Sequence, residues 1–440
     1  MISQIGIIAF GTVFVYLCVR GFQKPGYACA IVVSFLVIEQ VFAYSNPSFY
    51  LGNTKTVDIA IGVLTLAVLA YNKQLSPRNI PATVWVSAFF FVFAGFSISW
   101  SPDLERSWDL YTQVIPLTIL ASFLAPLLIR KPGDLNDLLD GLLLFSIPMA
   151  IVFAFGDRTG RALAILGDFQ KMELQPLASA QLAGYMTIIA CMKIAQVKSS
   201  RWLYVPYITA AVLSLFTIVN SSSRGQLLAL FPITLLGIPI VTRRSISVNT
   251  IIAIGITCVI GYGAYYIVSN FDLAWRWKGD LIRSGASGRL TMIASLLEEY
   301  LSGGIGVFLL GLGSSASYFF LDAYCHNVPI EVLCETGIVG FALYTIIYAR
   351  SFSDSFSRIR STDVASWADG LACLLLIAFY DFLISFKQGS ILGGYTFCCI
   401  NILAMATFSL KPVPQSTVVQ LQFPFQANRW KPPLVLKQKG

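Results

Sequence analysis

An all-α, polytopic membrane helix bundle is the fold class this sequence predicts, and three observations predict it. Apolar residues make up 56% of the 440 positions and charged residues 12%, too little polar surface to clothe a soluble globule. The mean hydropathy is +0.72. The apolar residues come in runs of about 20, the length of a helix that crosses the hydrocarbon core of a bilayer. The charges fall between these runs, in short connections.

Taken in order, the runs predict spans near 2–20, 27–45, 57–71, 81–99, 110–129, 136–156, 177–196, 202–220, 225–242, 248–269, 327–350, 365–386 and 389–409. That makes about 12–13 transmembrane helices in a single domain, 1–410. The first run has no basic n-region and no small-residue cleavage site, so it is expected to stay as a helix. Residues 411–440 read as a basic, disordered tail. Alternate loops hold Arg20 and Lys24, Lys73 and Arg78, Arg130 and Lys131, Lys193, Lys198 and Arg201, Arg243 and Arg244, Arg350, Arg358 and Arg360. With the tail bases these are most of the 30 Lys and Arg, so the loops and the C-terminus are expected to be cytoplasmic. The net charge of +8 is then a topology signal. Bases scattered over short loops make no patch for nucleic acid.

Nine cysteines are dispersed without a paired spacing, and there is one histidine, so no protein-held metal, cofactor or disulfide framework is expected. A magnesium ion held loosely on a substrate phosphate stays open. Bases on the opposite side break the charge rule: Lys55, Arg106, Arg158, Arg161, Lys171, Arg224, Arg276, Lys278, Arg283, Arg289 and Lys387. Arginine binds phosphate with a planar fork and keeps its charge when partly desolvated, so outward arginines point to an anionic ligand. The other reading, loop charges paired with nearby aspartates, suits Arg106, Arg276 and Lys278. Arg224 stands in Asn220-Ser221-Ser222-Ser223-Arg224-Gly225-Gln226, a polar tip between two apolar runs. Its hydroxyls and glycine let backbone donors approach a phosphate, or it is simply a short loop.

The longest connection, about 270–326, contains an amphipathic stretch at 290–301, with Leu290, Ile293, Leu297 and Tyr300 spaced three to four apart. It is expected to lie on the membrane surface. The apolar segment from Ile305 to Leu312 is too short to span. Beyond it comes His326, the sole side chain here whose ordinary pKa suits proton transfer near neutrality. Asn327 is placed to cap the following helix and Pro329 suits its first turn. Glu331 and Glu335 share one face and, so near hydrocarbon, must meet a cavity or partners such as arginine, or else be protonated. Gly337 and Gly340 read as close-packing positions.

Four pieces resemble the O-antigen ligase and O-antigen polymerase superfamily, polytopic bacterial glycosyltransferases. They are Trp100-Ser101-Pro102-Asp103, Ser223-Arg224-Gly225, Ser287-Gly288-Arg289, and His326-Asn327 followed after nine residues by Gly337-x-x-Gly340. The last is the most specific, and together they cover roughly 100–340. The resemblance implies a multi-pass protein of the bacterial inner membrane whose site faces the periplasm, where the long loop lies. It implies His326 as the base, with Arg224, Arg289 and, more weakly, Arg161 on a lipid diphosphate, supported by Ser223, Gly225, Asn327 and Glu331. Arg161 is followed by Gln175-Pro176-Leu177-Ala178 where relatives have an Asn-rich stretch. The implied donor is an undecaprenyl-diphosphate-linked glycan. The acceptor is lipid A-core for a ligase, or a second lipid-linked glycan for a polymerase, which would also admit a chain-length regulator as partner. A lipid-linked oligosaccharide flippase would instead place charges along several spans at mid-membrane, with an internal repeat, and neither is evident.

Overall fold

The computed structural model describes residues 2–46, 55–75, 80–156, 176–196, 204–221, 223–241, 279–362, 365–393 and 395–409, with three short strands between 158 and 173 and scattered helical positions between 251 and 266. The tail at 411–440 and most of the span expected at 248–269 lie outside the described residues.

The chain is a multi-pass, all-helical membrane protein. Helix α1 (Ile2–Gly21) is followed by α2 (Pro25–Val33) and α3 (Phe35–Ser45), which bend by 67° at Ser34. Then come α4 (Thr56–Tyr71), α5 (Ala82–Ser97) and α6 (Leu104–Thr118). Pro116 withholds a backbone donor inside α6, and the next turn widens to a π segment, Ile119–Leu124. Helix α7 (Pro132–Phe155) opens on a proline, and Asp134 accepts the amides of Arg130 at 3.0 Å and Lys131 at 2.9 Å. Helices α8 (Pro176–Gln196), α9 (Tyr204–Asn220) and α10 (Arg224–Pro232) follow, and after Pro232 a second π segment, Ile233–Gly237, carries α10 on.

Among the described residues, eight helices are long and apolar enough to cross a membrane, nine if α2 and α3 form one bent span. The spans expected at 57–71, 202–220 and 389–409 are held by shorter apolar helices, Thr56–Tyr71, Val205–Asn220 and Cys398–Ser409. With these three shorter helices the described residues hold up to twelve of the expected 12–13 spans, and most of the remaining one, 248–269, lies outside them. The last of the three is short because residues 386–393 lie outside helix, a mixed polar, glycine and apolar stretch whose far end reads as the start of the next apolar run. A small antiparallel sheet, β1 (Arg158–Thr159), β2 (Ala162–Ile165) and β3 (Met172–Glu173) in that order, was not expected either. Strands of two to four residues carry too little alternation to be read.

The long connection supplies α11 (Gly279–Ser302), α12 (Gly304–Leu310) and α13 (Ala316–Leu321). It leads into α14 (Val328–Ser361), α15 (Ala365–Ser385) and α16 (Cys398–Ser409). In α11, Ile293, Leu296, Leu297 and Tyr300 pack with Cys325 and Cys334, as amphipathic spacing requires, whereas Leu290 is exposed. Helix α12 has seven residues, too few to span, and Ile305, Phe308 and Leu309 on it are exposed.

Helices α1 and α2 pack on α7, α8 on α9, and α14 on α5, α15 and α16. Phe397 gathers the centre: its ring lies 5.2 Å from Phe90, 5.4 Å from Phe91 and 6.0 Å from Tyr344. Such edge-on aromatic contacts add about 0.5–1.5 kcal/mol each beyond burial. Asn401 fastens three helices at once, accepting from Ser87 Oγ at 2.9 Å and donating to the Ser122 carbonyl at 2.8 Å. Polar groups in a bundle core persist only when satisfied in this way. At one end of the bundle Lys24 pairs with Asp137 at 2.8 Å and Lys193 with Asp140 at 2.9 Å.

Candidate functional site

The other end carries His326, immediately before α14. Asn327 caps that helix by accepting the Ile330 amide at 3.1 Å, while its own amide donates to the Phe386 carbonyl at 3.1 Å. One side chain therefore fixes the start of α14 and ties it to the connection between α15 and α16. His326 has φ of 59°, the left-handed region, which costs a residue with a Cβ about 1–2 kcal/mol. Its ring centroid lies 4.1 Å from that of Tyr324. A strained backbone persists where its surroundings over-determine it, and functional sites are where such strain collects.

Gly337 is close-packed, as expected, and it is also a helix break. Its φ of 65° and ψ of −170° interrupt α14, freeing carbonyls of the turn before it. The Cys334 and Glu335 carbonyls then accept the amides of Leu312 and Gly313 at 2.8 and 3.0 Å. Gly311 and Gly337 approach so closely that a Cβ on Gly337 would stand 2.5 Å from the Gly311 nitrogen. Glu335, fully buried, accepts from the Ser315 amide at 2.8 Å and from the Ser317 amide and hydroxyl at 3.1 and 2.6 Å. Glu331 accepts from Ser390 Oγ at 2.5 Å and the Ile391 amide at 3.0 Å. These carboxylates hold loops to α14, and the partners shown are hydroxyls and amides where arginine was one expectation. Gly340 does pack against a neighbouring helix, with Phe93 of α5 at 3.4 Å from its Cβ position.

Arg224 opens α10, directly after the buried Ser223 at the N-cap. Its Nη1 is buried without a hydrogen-bond partner among the described residues. An unpartnered guanidinium nitrogen beside the free amides of a helix start is a site for an anion. The Lys387 side chain lies across Gly225, where any larger residue would displace it. The next residue, Gln226, donates to Gln388 Oε1 at 2.5 Å. Two adjacent residues of α10 thus grip two adjacent residues of the connection after α15.

Lys387 links this helix start to the surroundings of the histidine. Burial first, then the charges of Arg289 and Lys387, hold the His326 pKa below its ordinary 6.5. The imidazole is neutral at pH 7 and able to accept a proton, within electrostatic reach of both cations. No influence of Glu331 on His326 is evident, and every cause of its shift other than burial is cationic.

The structure therefore brings Arg289, His326 and Asn327 to one place with Lys387, and through Lys387 with Gly225 next to Arg224. Arg161 lies outside the described residues. Arg106 departs from expectation: Asp103 accepts its backbone amide at 3.0 Å, but its guanidinium donates to the Tyr318 carbonyl at 3.3 Å and covers the Tyr318 ring at 5.3 Å. Lys387 was visible in the sequence only as one of the bases on the unexpected side of the charge pattern. Trp100-Ser101-Pro102-Asp103 serves the loop, since Ser107 Oγ meets Ser101 Oγ at 2.8 Å and donates to the Ser314 carbonyl at 2.8 Å.

Beside the histidine lies a cavity of about 330 Å³. Tyr318 and Tyr324 line it at the loop, and Gln181, Tyr185 and Asp381 line it within the bundle. Burial pushes the Tyr318 phenol up to about 12 and raises that of Tyr324, with Glu331 adding to both, so each keeps its proton at neutral pH. No protein-family model matches this sequence, and no curated protein matches it.

Proposed function

We propose that this protein is a membrane glycosyltransferase that moves a glycan from undecaprenyl diphosphate to a sugar hydroxyl on the periplasmic face of the bacterial inner membrane. The observation that carries this reading is a strained His326 whose pKa is lowered by burial and by the charges of Arg289 and Lys387, with the Lys387 side chain lying across Gly225 next to Arg224. A base beside a cationic cradle is what displacement of a diphosphate requires. The acceptor hydroxyl attacks the anomeric carbon and a C–O bond forms as the bond to the diphosphate oxygen breaks. The hydroxyl proton passes to His326, and the leaving electron pair stays on the diphosphate, whose charge the arginines and Lys387 stabilise. Loss of one such stabilising donor commonly costs about 100- to 1,000-fold in rate. Attack from the opposite face converts an α-linked donor into a β-glycoside.

Within this class we favour transfer to lipid A-core, a ligase, on the His326-Asn327 to Gly337-x-x-Gly340 spacing; joining of lipid-linked repeat units is the alternative. Reconstitution of the purified full chain with lipid-linked glycan and each acceptor separately tests both. A single transfer to lipid A-core identifies a ligase and progressive lengthening a polymerase. Absence of transfer to either, or a His326→Ala protein with wild-type turnover, overturns the reading.

A further inference from the structure

Gln388 faces two different environments, and the difference divides the site. On one side it bonds Gln226, next to Gly225, Arg224 and the Lys387 side chain. On the other it lines the 330 Å³ cavity, whose wall contains Asp381 and, among the described residues, no lysine, arginine or histidine. A diphosphate belongs with the cations. An anion in the cavity would meet a carboxylate with no compensating charge, so the cavity suits an uncharged group.

The cavity wall has a definite chemistry. Asp381 accepts from the Tyr185 hydroxyl at 2.5 Å and from Gln181 Nε2 at 2.8 Å, and both Asp381 and Gln181 keep accessible surface. One end of the Gln388 amide is committed to Gln226, leaving the other uncommitted among the described residues. Ser385, Ser390 and Thr396 add hydroxyls, and Tyr318, Tyr324 and Tyr395 add aromatic surface. Carboxylate, amides and hydroxyls set among tyrosine rings match a pyranose, which has an apolar face and a rim of hydroxyls. The volume lies at the lower end of the ~300–1,000 Å³ typical of small-molecule sites. Tyr324 lines the cavity and touches His326, so a hydroxyl at that edge stands beside the base.

We infer that this cavity is the subsite for the acceptor's terminal sugar, a neutral pyranose, with Asp381, Gln181 and Gln388 reading its hydroxyls. The inference rests on the transferase reading for the role of the sugar, but its binding claim is testable without turnover. The full chain in lipid nanodiscs would be probed by saturation-transfer NMR with methyl α-D-glucopyranoside, methyl β-D-galactopyranoside, cyclohexanol and glucosamine hydrochloride. The variants are Asp381→Asn and the cavity-filling Ala178→Phe, each with its melting temperature recorded. Wild-type protein should bind a neutral methyl glycoside in preference to cyclohexanol, and at least one folded variant should weaken it tenfold or more. In turnover, Asp381→Asn should raise the acceptor KM about tenfold and leave the donor KM unchanged. Preference for cyclohexanol makes the cavity an apolar void, and preference for glucosamine that Asp381→Asn abolishes makes it a cation site; either overturns the proposal. Transfer with an unaltered acceptor KM in Asp381→Asn overturns the subsite and leaves the transferase standing. Glycoside binding by a wild-type protein that transfers nothing does the reverse.

Discussion

Asn327 is the residue whose replacement most directly separates structure from activity, because its two hydrogen bonds serve different ends. Its oxygen caps α14 through the Ile330 amide, and its nitrogen ties Phe386, next to Lys387, to the helix start. Loss of a cap costs about 1 kcal/mol. Loss of a neutral hydrogen bond costs a further ~0.5–1.5 kcal/mol. Asn327→Ala should therefore destabilise the protein by about 2 kcal/mol. Asn327→Ser keeps a capping oxygen but cannot reach Phe386, so its loss should be about 1 kcal/mol. If the tie holds Lys387 over Gly225 and near His326, that 1 kcal/mol is withdrawn from the assembled site, and transfer should fall about fivefold in Asn327→Ser. Denaturant melts of the detergent-solubilised chain and initial rates at saturating acceptor read the two quantities. Equal stability of the Ala and Ser variants would remove the cap from the account. Wild-type turnover in Asn327→Ser would show that the tie does not position the lysine.

Because burial and two cations depress the His326 pKa, a base role predicts an acid limb of the rate whose midpoint lies below the ordinary imidazole value of 6.5; Arg289→Gln should move that limb upward, and an unmoved limb would detach Arg289 from the histidine. The same shift makes the folded protein lose stability as pH falls from the ordinary 6.5 through the lower folded value, since the unfolded chain takes up the proton first; His326→Gln should flatten this part of a melting-temperature profile. Gly225→Ala displaces the flexible end of Lys387 without meeting backbone, so donor KM should rise about tenfold with an unchanged melting temperature, and an unchanged donor KM would dismiss Lys387 as an anion ligand. Gly337→Ala must bear a left-handed φ and a collision with the Gly311 backbone, costing about 3 kcal/mol or more, whereas Gly306→Ala enters open space and should be neutral or stabilising; equal melting temperatures would refute the helix break.

How much of this was legible in the sequence depends on the length scale of the signal. A span announces itself over about 20 residues, so most helices were foreseen to within a few positions. His326, Arg224 and Arg289 were readable because a lone imidazole and outward arginines are conspicuous against an apolar background. Gly337 reads as close-packed, which it is, but its helix break goes unseen because a glycine in a helical pattern looks alike whether it only admits a neighbour or also breaks its own helix. Only the carbonyls taken by Leu312 and Gly313 tell the two apart. Lys387 and Gln388 were not assigned roles because their meaning comes from Gly225 and Gln226, far away in the chain. Asp381 sits one turn from the end of an apolar run, where hydropathy averages it away.

The hydrogen bonds that dress the outer turns of α14 also imply an order of assembly. Glu335 meets Ser315 and Ser317 across only 20 and 18 residues, short loops whose closure is entropically cheap and fast. The loop from 311 to 317 can seat itself as soon as α14 is in place. The anion site waits longer, because Gln226 and Gln388 are 162 residues apart and their pairing needs α15 inserted. During synthesis the protein thus passes through a stage with its histidine loop seated and its cation cradle still unformed. On the proposed transferase reading, a nascent chain halted before residue 386 would be helical and membrane-bound yet inert, because Lys387 and Gln388 would be missing from its site.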